Sequence, residues 1–532
     1  MKKHILLTTL TSTFFLITST VFSQSTFVHR SGSVDSDYGM TCAPTRDGGA
    51  IIAHETHTNG MDLHSGLVKY DANGSMQWYK LYQVGQYTIP YSVLETDEGY
   101  MVFAIGSDTT FANNNDHFLI LYKTDNNGLT IWNKQYKISN NDLPLNMVRS
   151  VFGGYLAFSV GDYNLGTYPY TSVTKFDDLG NIVWVKQFTA PYGLKGTRGI
   201  ELPNGNICFT STVGDPAVSF MLDVVVTTLD PLGNILWVKN FGTYYDDEPY
   251  AIAANSANDI FITGRGYFDV NRAWDSFLFH LDSNGNMISN KVYDGGTPDG
   301  EIMRSIITMP DGTLRLLGDM GTFSERDIVM INIDSNLSVM TAHRYTFSPL
   351  FTNYPYEMFR THDGGIIFTG DYRPPSAYRD AIVAKTESDG NLPCFTVSQT
   401  INVFNETFHD LSFSLTSLTP TITTLNFRDS VPNNPFFDHV VCALSTGVEE
   451  TTNENDNVYP NPVSDVLNIR LDEEKNVERI QLMSADGKFV YNQKIDTQIN
   501  LHSIEMKDFA SGVYVLRILS GRDVQMKSVV KR

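Results

Sequence analysis

The sequence predicts an all-β fold, a seven-bladed β-propeller followed by a smaller all-β unit at the C-terminus. Three observations support this prediction. One motif recurs seven times, every 52 to 54 residues, between residues 71 and 398. Each copy divides into four short apolar runs bounded by turn residues, which is the pattern of strands. Tyr, Phe and Gly are frequent, as in strands joined by tight turns.

The motif is clearest at the end of each copy, as in the third copy, FDDLGNIVWVKQF. Counted from Asp177, a Gly follows at offset 3 (Gly180), a Trp at 7 (Trp184), a Lys at 9 (Lys186) and an aromatic residue at 11 (Phe188). The acidic residue that opens the motif is, in chain order, Asp71, Asp125, Asp177, Asp230, Asp282, Asp334 and Glu387. Four-stranded units of this period are typical of β-propellers, whereas the alternative fold, a β-solenoid, usually has a shorter repeat.

The offsets explain what each residue of the motif does. Asp and Gly bracket a hairpin turn, because Gly tolerates positive φ and Asp hydrogen-bonds its own backbone. Offsets 7, 9 and 11 are alternate residues of one strand, so Trp, Lys and the aromatic residue share a face. We expect the rings to pack against the neighbouring sheet and the Lys to protect an outermost strand from edge-to-edge pairing. The motif therefore predicts structure rather than binding.

The two ends of the repeat array predict how the sheets are completed. The seventh copy lacks the Trp, Lys and aromatic residue of the last strand and has Cys394 at the Trp position. The segment TFVHRSG, residues 26–32, lies before the first turn of the first copy. We therefore expect residues 26–32 to pair with the seventh sheet and to close a ring of sheets.

Residues 1–23 have the organisation of a signal peptide. Basic residues precede the apolar run Ile5–Val21, and the small residue Ser23 stands at a plausible cleavage point. No later stretch of the sequence is long and apolar enough to span a bilayer. The propeller is then expected to cover residues 24–395 and to leave the cytoplasm by Sec-type export through the periplasm.

The repeat motif, LDPLGNILWVKNF in its fourth copy, resembles the repeats of quinoprotein-type propellers. It is more similar still to propeller repeats common in exported bacterial proteins. The quinone-dependent proteins typically have eight blades and often a pair of adjacent cysteines. This chain has seven copies and no adjacent cysteines. The resemblance therefore implies the fold and not the cofactor.

Residues 458–532 resemble a type A sorting domain of the type IX secretion system. The resemblance rests on the opening VYPNPVSDVLNIRL, a later SGVY motif and a basic last strand. The matching residues are Tyr459, Pro460, Asn461, Pro462, Gly512, Tyr514 and Lys527. The resemblance implies a small β-sandwich, a Bacteroidetes-type bacterium, and the type IX machinery with its sortase as partners. It also implies release from the cell or display on its surface; a C-terminal sandwich without a targeting role is the alternative.

Two segments lie between the repeats and the tail. Residues 396–447 alternate apolar and polar residues, which predicts accessory strands packed on the propeller or bridging to the tail. Residues 448–457 are acidic and polar, and this composition predicts a linker. Cys394 and Cys442 flank the accessory segment, and export to an oxidising compartment makes a disulfide between them an open alternative.

No sequence motif assigns catalytic chemistry. G-x-S-x-G, P-loop and H-E-x-x-H motifs are absent from the sequence. The net charge of −21 argues against nucleic acid as a partner. Acidic residues within 35–37 and 246–248 could hold Ca²⁺ through oxygen ligands, although most acidic groups in loops are solvated. We expect no catalytic residue, no cofactor and no metal site, with calcium as the open alternative.

Propellers usually bind ligands at the mouth of the central channel, where the innermost strands converge. The charged residues that we assign to these strands are Arg149, Arg198, Arg304, Glu357 and Arg360. They are candidates for a polar funnel that binds an anionic or sugar ligand through bidentate Arg hydrogen bonds. The alternative is that they pair with neighbouring acids and line a channel filled with water.

The sequence favours a non-enzymatic binding protein, secreted or displayed on the cell surface, whose ligand is a glycan or a protein. An extracellular polysaccharide lyase or hydrolase with its site at the channel mouth is the first alternative. A structural component of the cell surface is the second. Clustered His with carboxylates or Arg at the mouth would indicate the enzyme, whereas a bare or aromatic-lined mouth would indicate binding.

Overall fold

Every secondary-structure element described in the protein is a β-strand. The computed structural model describes residues 26–444 and 458–531 except for gaps at 34–35, 59–61, 86, 108–115, 163–168, 216–220, 269–273, 298, 323–324, 348–352, 374–377, 394, 412–414, 419–422, 426–436, 460–461, 471–476, 478, 485–488, 496–500, 511 and 521–522. The expected signal peptide and linker lie outside the described residues. The chain divides into two compact units, Met1–Thr446 and Gly447–Arg532, which are described separately.

Each of the first six copies of the repeat forms one antiparallel sheet of four strands, as predicted, and the seventh copy forms three strands of a seventh sheet. Sheet 1 contains β2 (Asp37–Pro44), β3 (Ala50–Thr58), β4 (Asp62–Tyr70) and β5 (Met76–Tyr82). Sheet 2 contains β6 (Tyr87–Glu95), β7 (Gly99–Ser107), β8 (His117–Asp125) and β9 (Thr130–Lys137). Sheet 3 contains β10 (Leu143–Arg149), β11 (Tyr155–Gly161), β12 (Tyr170–Phe176) and β13 (Ile182–Thr189). Sheet 4 contains β14 (Lys195–Glu201), β15 (Ile207–Asp215), β16 (Met221–Leu229) and β17 (Ile235–Gly242).

The remaining three sheets follow the same order along the chain. Sheet 5 contains β18 (Asp247–Ala254), β19 (Ile260–Gly266), β20 (Asp275–Leu281) and β21 (Met287–Asp294). Sheet 6 contains β22 (Glu301–Thr308), β23 (Leu314–Gly321), β24 (Arg326–Ile333) and β25 (Val339–Tyr345). Sheet 7 contains β26 (Asn353–Arg360), β27 (Ile366–Tyr372), β28 (Asp380–Thr386) and β1 (Thr26–Gly32). The N-terminal strand β1 thus supplies the fourth strand of sheet 7, which confirms the expected pairing of residues 26–32.

The first strands of the sheets are β2, β6, β10, β14, β18, β22 and β26. Each of them contacts the first strand of the following sheet, and β26 contacts β2. Apolar cores fill the space between neighbouring sheets. One such core joins Phe103 and Leu121 of sheet 2 to Met147 and Phe176 of sheet 3, all of them buried.

The repeated motif builds the turn that the sequence predicts. In the third copy, Oδ1 of Asp177 accepts hydrogen bonds from the N–H groups of Leu179 (2.9 Å) and Asn181 (2.7 Å). Gly180 adopts a φ of +76°, a conformation that Gly reaches without the steric cost of a side chain. The sixth copy places Leu337 at this position with a φ of +62°, so the turn survives without its Gly.

The same motif also fastens each sheet to the next one. Trp132 of sheet 2 packs on the turn of sheet 3, where a Cβ added to Gly180 would lie 2.5 Å from the indole Cη2. The hydroxyl of Tyr136 donates a hydrogen bond to the carbonyl of Gly180. Nζ of Lys134 donates to the carbonyl of Leu179 at 2.8 Å. Alternate residues of one strand share a face, so Trp, Lys and the aromatic residue of the motif all contact the turn of the neighbouring sheet. We call these contacts the clasp.

A segment that we call the belt, residues 396–444, adds a further strand to six of the sheets. Its strands are β29 (Thr396–Ser398), β30 (Asn402–Phe404), β31 (His409–Leu411), β32 (Thr416–Leu418), β33 (Thr423–Leu425) and β34 (Phe437–Leu444). In this order they pair with the fourth strands of sheets 6, 5, 4, 3, 2 and 7. In sheets 2 to 5 the belt pairs only with the last three residues of the fourth strand, as at Gln187, Phe188 and Thr189 of β13. Lys186 lies outside this paired stretch, so the role of Lys as a guard of free edges stays a prediction.

The cysteines fall into two groups. Cys42 and Cys208 are buried and free. Cys394 and the side chain of Cys442 lie outside the described residues, although the backbone of Cys442 stands opposite Val28 in sheet 7. The disulfide between Cys394 and Cys442 stays a prediction.

The second unit contains two antiparallel sheets that share one apolar core. The first sheet contains β35 (Val458–Tyr459), β36 (Val466–Arg470) and β39 (Leu501–Glu505). The second contains β37 (Arg479–Ser484), β38 (Phe489–Lys494), β40 (Gly512–Ser520) and β41 (Asp523–Lys531). Leu467 and Ile504 of the first sheet and Leu482 and Leu516 of the second belong to the same buried cluster. Among the described residues, no helix has the length and apolar character to cross a membrane.

Candidate functional site

Every first strand of the seven sheets carries a β-bulge. In sheet 3, for example, the register with β11 shifts between Pro144 and Asn146, so Leu145 has no partner. A β-bulge changes the direction in which a side chain leaves the strand, compared with regular pairing. In β2 the bulge contains Gly39 as well as Met40. The bulged residues that carry a side chain are Met40, Tyr91, Leu145, Thr197, Tyr250, Arg304 and Tyr356.

All seven bulged residues line one cavity of about 550 Å³. The seven sheets therefore each contribute one side chain to a common space. Further lining residues are Tyr192, Lys195, Arg198 and Glu248. A volume of this size suits a small organic ligand, for which sites of about 300–1,000 Å³ are usual.

Proline precedes four of the bulged residues and gives the site its sequence signal. Pro90, Pro144, Pro249 and Pro355 stand directly before Tyr91, Leu145, Tyr250 and Tyr356. Proline within a sheet is confined largely to edge strands and bulges, because it has no N–H for the ladder. Tyr91, Leu145, Tyr250 and Tyr356 were not predicted from the sequence, although Pro-Tyr or Pro-Leu in a predicted innermost strand would have indicated them.

Arg198 and Glu357, two of the sequence candidates, form an ion pair at the cavity. Nη1 of Arg198 lies 3.1 Å from Oε1 of Glu357. The second carboxylate oxygen of Glu357 accepts a hydrogen bond from the hydroxyl of Thr41. Glu357 is therefore bonded to two other sheets, and the charge of Arg198 is neutralised within the protein.

Tyr250 belongs to a second polar group on the cavity wall. Its hydroxyl donates to Oε2 of Glu248 at 3.3 Å. Oε1 of Glu248 lies 3.1 Å from Nη2 of Arg265, and the Arg265 guanidinium stacks 4.0 Å from the ring centroid of Trp274. Burial, followed by the charge of Glu248, raises the pKa of Tyr250 to about 12, so the hydroxyl stays protonated at neutral pH.

Arg304 is also paired. Its Nε donates to Oδ1 of Asp319, a buried residue whose other oxygen accepts from Nε of Arg326. The guanidinium carbon of Arg304 lies 5.7 Å from the ring centroid of Tyr250 and 5.4 Å from that of Tyr354. These contacts hold Arg304 between two aromatic rings.

Tyr356 is hydrogen-bonded to Asp371, a further buried acid of this region. Its hydroxyl donates to Oδ2 of Asp371 at 2.7 Å, and Nη1 of Arg379 lies 3.0 Å from the same oxygen. Burial raises the pKa of Asp371 to about 7, against the lowering effect of Tyr356 and Arg379. The tyrosine ring faces the cavity, while its hydroxyl is fixed from behind.

The other two sequence candidates lie elsewhere. Arg149 and Arg360 are exposed and end β10 and β26, whereas the bulges lie nearer the start of those strands. Nη1 of Arg149 lies 2.9 Å from Asp178. Neither residue is among those that line the cavity. Of the five candidates, Arg198 and Arg304 therefore line the cavity, and Glu357 lies next to it through its ion pair with Arg198.

The expected calcium ligands already have protein partners where they are described. Asp35 lies outside the described residues. Asp37 accepts a hydrogen bond from the N–H of Ser33, and Asp247 accepts two from Thr243. Glu248 is paired with Arg265. Calcium at these two sequences stays a prediction.

The sorting-signal residues are described in part. Tyr459 is exposed, and Pro460 and Asn461 lie outside the described residues. Tyr514 is buried, and its hydroxyl donates to the carbonyl of Ala510 at 2.7 Å. Pro462, Gly512 and Lys527 are described as well, and Gly512 has a φ of +154°. Their roles in sorting stay predictions.

Comparison with known families identifies the tail. Residues 457–532 match the family described as "Secretion system C-terminal sorting domain". The expected type IX sorting domain is thereby confirmed, and it marks the chain for secretion or for display on the cell surface. It also implies an interaction with the secretion machinery. Comparison with curated proteins finds no significant match.

Solved structures align with the chain at low similarity. A Dyadobacter fermentans protein of unknown function aligns with a TM-score of 0.38 and 9% identity, covering 67% of this chain and 98% of that one. A puromycin hydrolase aligns at 0.36 and 12% identity, over 63% and 50% of the two chains. The extracellular domain of a putative one-component system from B. thetaiotaomicron aligns at 0.20 and 11% identity, over 96% and 100%. TM-scores this low carry no information about function.

Proposed function

We propose that the first unit is a closed seven-bladed β-propeller whose central cavity binds a neutral glycan outside the cell. The observation that carries this proposal is the convergence of seven bulged side chains, one from each sheet, on one cavity. The contact between β26 and β2 supports ring closure, because it joins the last sheet to the first. The path of the belt through sheets 6, 5, 4, 3, 2 and then 7 also fits sheets arranged in a circle.

The lining favours binding over hydrolysis. Tyr91, Tyr250 and Tyr356 reach the cavity from three different sheets. No His is among the described residues that line the cavity, and Glu248 is the one carboxylate among them. Flat aromatic rings offer a large apolar face at low entropic cost, and a pyranose ring has a matching face of C–H groups. An aromatic-lined channel mouth is the feature that we expect of a binding protein rather than of an enzyme.

The paired arginines favour a neutral ligand over an anionic one. Arg198 and Arg304 each contact a carboxylate of the protein itself. An acidic glycan would have to displace Glu357 or Asp319 to reach these guanidinium groups. Breaking such a partly buried pair leaves an uncompensated charge, which is costly. A neutral saccharide can instead accept hydrogen bonds from guanidinium N–H groups without disturbing either pair.

A glycan array that contains neutral, uronate and sulfated saccharides tests the proposal. The probe is the exported chain, residues 24–532, and hits are confirmed by calorimetry. We expect neutral oligosaccharides to bind with little dependence on salt, and Tyr91→Ala or Tyr250→Ala to weaken binding at least about tenfold. Tyr244→Ala is the matched control, because Tyr244 is 67% exposed and does not line the cavity.

The same experiment separates the alternatives. Binding that survives both cavity substitutions, or that is confined to acidic glycans, would contradict the proposed site. Cleavage products from a bound polysaccharide would assign an enzyme instead. If no saccharide binds, a structural role at the cell surface becomes the better explanation. Stable association with envelope proteins would support that role.

For the tail, we propose that the sorting domain acts after Sec-type export and is removed by the type IX sortase. The family match to residues 457–532 supports this route. A reporter carrying residues 448–532 should leave the periplasm of a type IX-competent strain. Retention of the fusion in the periplasm would contradict the route.

A further inference from the structure

Three acidic side chains of sheets 5 and 6 converge at a place that does not line the cavity. Asp275 begins β20, Asp294 ends β21 and Glu301 begins β22. One carboxylate oxygen of each lies within 4.8 Å of the other two. Ca²⁺ binds oxygen ligands at about 2.3–2.6 Å, so ligands on opposite sides of one ion are about 4.6–5.2 Å apart. One ion can therefore contact all three carboxylates.

Hydrogen bonds to two backbone carbonyls hold this cluster in place. The N–H of Glu301 donates to the carbonyl of Trp274 at 2.8 Å, and the hydroxyl of Ser276 donates to the carbonyl of Glu301 at 3.1 Å. Both bonds join the start of β22 to the start of β20. Asp275 and Glu301 are thus positioned without an ion, which reduces the entropic cost of binding one.

Glu301 has a buried carboxylate oxygen that the described residues leave without a hydrogen bond. The residue is 1% exposed. Oε1 accepts a hydrogen bond from the hydroxyl of Thr297 at 2.6 Å, whereas Oε2 is buried and has no hydrogen-bond partner. Burial raises the pKa of this carboxyl. A buried polar atom without a partner is costly, and a bound cation removes that cost.

One cation near the cluster, the guanidinium of Arg326, is already engaged. Nη2 of Arg326 donates to the carbonyl of Gly300 at 2.8 Å, but its Nε pairs with Asp319. No ion pair between Arg326 and Glu301 or Asp294 occurs among the described residues. Among the described residues, Arg326 therefore does not neutralise the carboxylate of Glu301 or that of Asp294.

Glycines let the backbone fold tightly around the acids. A Cβ added to Gly295 would lie 2.8 Å from Oε1 of Glu301. The N–H of Gly296, which has a φ of +71°, donates to Oδ1 of Asp294 at 2.6 Å. The segment between β21 and β22 is thus shaped to bring Asp294 and Glu301 together.

We propose that Asp275, Asp294 and Glu301 bind one Ca²⁺ ion that fastens sheet 5 to sheet 6. Backbone carbonyls and water complete the oxygen ligands that Ca²⁺ requires. Ca²⁺ suits the site better than Mg²⁺, because Mg²⁺ demands near-ideal octahedral geometry and keeps several of its waters. Export brings the chain to the extracellular medium, where calcium sites with dissociation constants of about 10⁻⁴–10⁻³ M are filled.

Binding is tested on the exported chain, residues 24–532, after treatment with a chelator and gel filtration. Calorimetry measures Ca²⁺ directly, and Tb³⁺ luminescence excited through Trp274 reports the site itself. We expect saturable binding and an unfolding midpoint that rises by a few degrees with Ca²⁺. Glu301→Gln and Asp294→Asn should each weaken Ca²⁺ binding at least about tenfold, because each removes a charged ligand.

Asp142→Asn is the matched control. Asp142 is a buried acid directly before β10, the first strand of sheet 3, and accepts hydrogen bonds from Ser139 and Ile138. Asp142→Asn should lower the midpoint of unfolding by the same amount with and without Ca²⁺, and it should leave Ca²⁺ binding unchanged. Trp274→Phe should remove the Tb³⁺ signal and keep Ca²⁺ binding.

Two results would overturn the proposal. One is a wild-type chain that binds no Ca²⁺ at millimolar concentration by calorimetry. The other is unchanged Ca²⁺ binding in both Glu301→Gln and Asp294→Asn. Because Asp294 is only half-buried, Asp294→Asn keeps the test decisive if Glu301→Gln fails to fold.

Discussion

The guanidinium of Arg198 on β14 lies 3.1 Å from the carboxylate of Glu357 on β26, so one ion pair joins sheet 4 to sheet 7. The two residues are 159 positions apart in sequence. In the proposed ring these sheets are not neighbours, so the pair spans the centre. Both side chains are largely buried, at 21% and 14% exposure, which limits screening by solvent.

A double-mutant cycle of Arg198→Met and Glu357→Gln should reveal coupling across the cavity. We expect each single variant to lower the free energy of unfolding and the pair to be coupled by about 1–2 kcal/mol. Arg198→Met alone should lower the free energy of unfolding more than Glu357→Gln alone, because it leaves the Glu357 carboxylate partly buried without its cation. Denaturant unfolding measures all four proteins. Additive effects would mean that the two side chains do not interact in solution.

Gly180→Ala should destabilise the protein more than Gly312→Ala. Both glycines have positive φ, +76° and +82°, so Ala is strained at either place. A Cβ at Gly180 would also lie 2.5 Å from Trp132, whereas a Cβ at Gly312 would have no atom within 4 Å. We expect the free energy of unfolding to fall by about 1 kcal/mol for Gly312→Ala and by about 1–3 kcal/mol more for Gly180→Ala. Equal costs, measured by thermal unfolding, would argue against the clasp.

Asp247 should make stability fall as the pH rises. It is fully buried, and burial raises its pKa to about 8, although hydrogen bonds from Thr243 act in the opposite direction. In the unfolded chain an Asp titrates near pH 3.9. Between about pH 4 and 8 the folded protein therefore binds more protons than the unfolded one, and the free energy of unfolding decreases with rising pH.

Asp247→Asn removes this titration and keeps an oxygen that can accept from Thr243. We expect the loss of stability between pH 5 and pH 9 to shrink by at least about 1.4 kcal/mol, the equivalent of one pKa unit. The measurement is denaturant unfolding at both values of pH. A variant whose pH dependence equals that of the wild type would show that Asp247 is ionised in the folded state. Asp311→Asn serves as the control, because Asp311 lies in an exposed turn.

Phe27→Ala should weaken the whole first unit. Phe27 is fully buried on β1, between β28 and β34. Loss of a buried Phe side chain costs about 3–5 kcal/mol. Val397→Ala in the belt is the control, since Val397 is 56% exposed and should change stability by less than about 0.5 kcal/mol. Deleting residues 24–32 should lower the melting temperature clearly; an unchanged value would contradict the role of β1.

The sheets could be predicted from sequence because turn chemistry is local. The Asp and Gly of the motif follow the same short-range rules in most copies, with Leu337 and Glu387 as the exceptions, so their recurrence marks the sheets and their order. The position of Trp184 at an alternate offset was enough to predict packing between sheets. The pairing of residues 26–32 with sheet 7 followed from a missing strand in the seventh copy. Each of these inferences depends on contacts within a copy or on a count of strands.

The site could be predicted only in part because it depends on bulges. Arg198 and Arg304 lie in the expected strands and at the cavity, but Arg149 and Arg360 occupy the far ends of equivalent strands. A one-residue shift of register reverses the face on which a strand residue points. Tyr250 was missed for this reason, since regular alternation would not have directed it inward. The belt was predicted as strands, yet three-residue strands carry too little pattern to reveal their partners.

The position of β1 sets the order in which the fold can be completed. It is the first strand of the chain, but the acid that its Arg30 contacts, Asp380, comes 350 residues later. Its other neighbour, β34, is the last strand before the second unit. Contacts this distant in sequence form late, because a long loop must close before they stabilise anything. Proteolytic removal of the tail after Leu444 would leave in place all 34 strands described in the first unit, whereas a cut before Phe437 would take away a neighbour of β1.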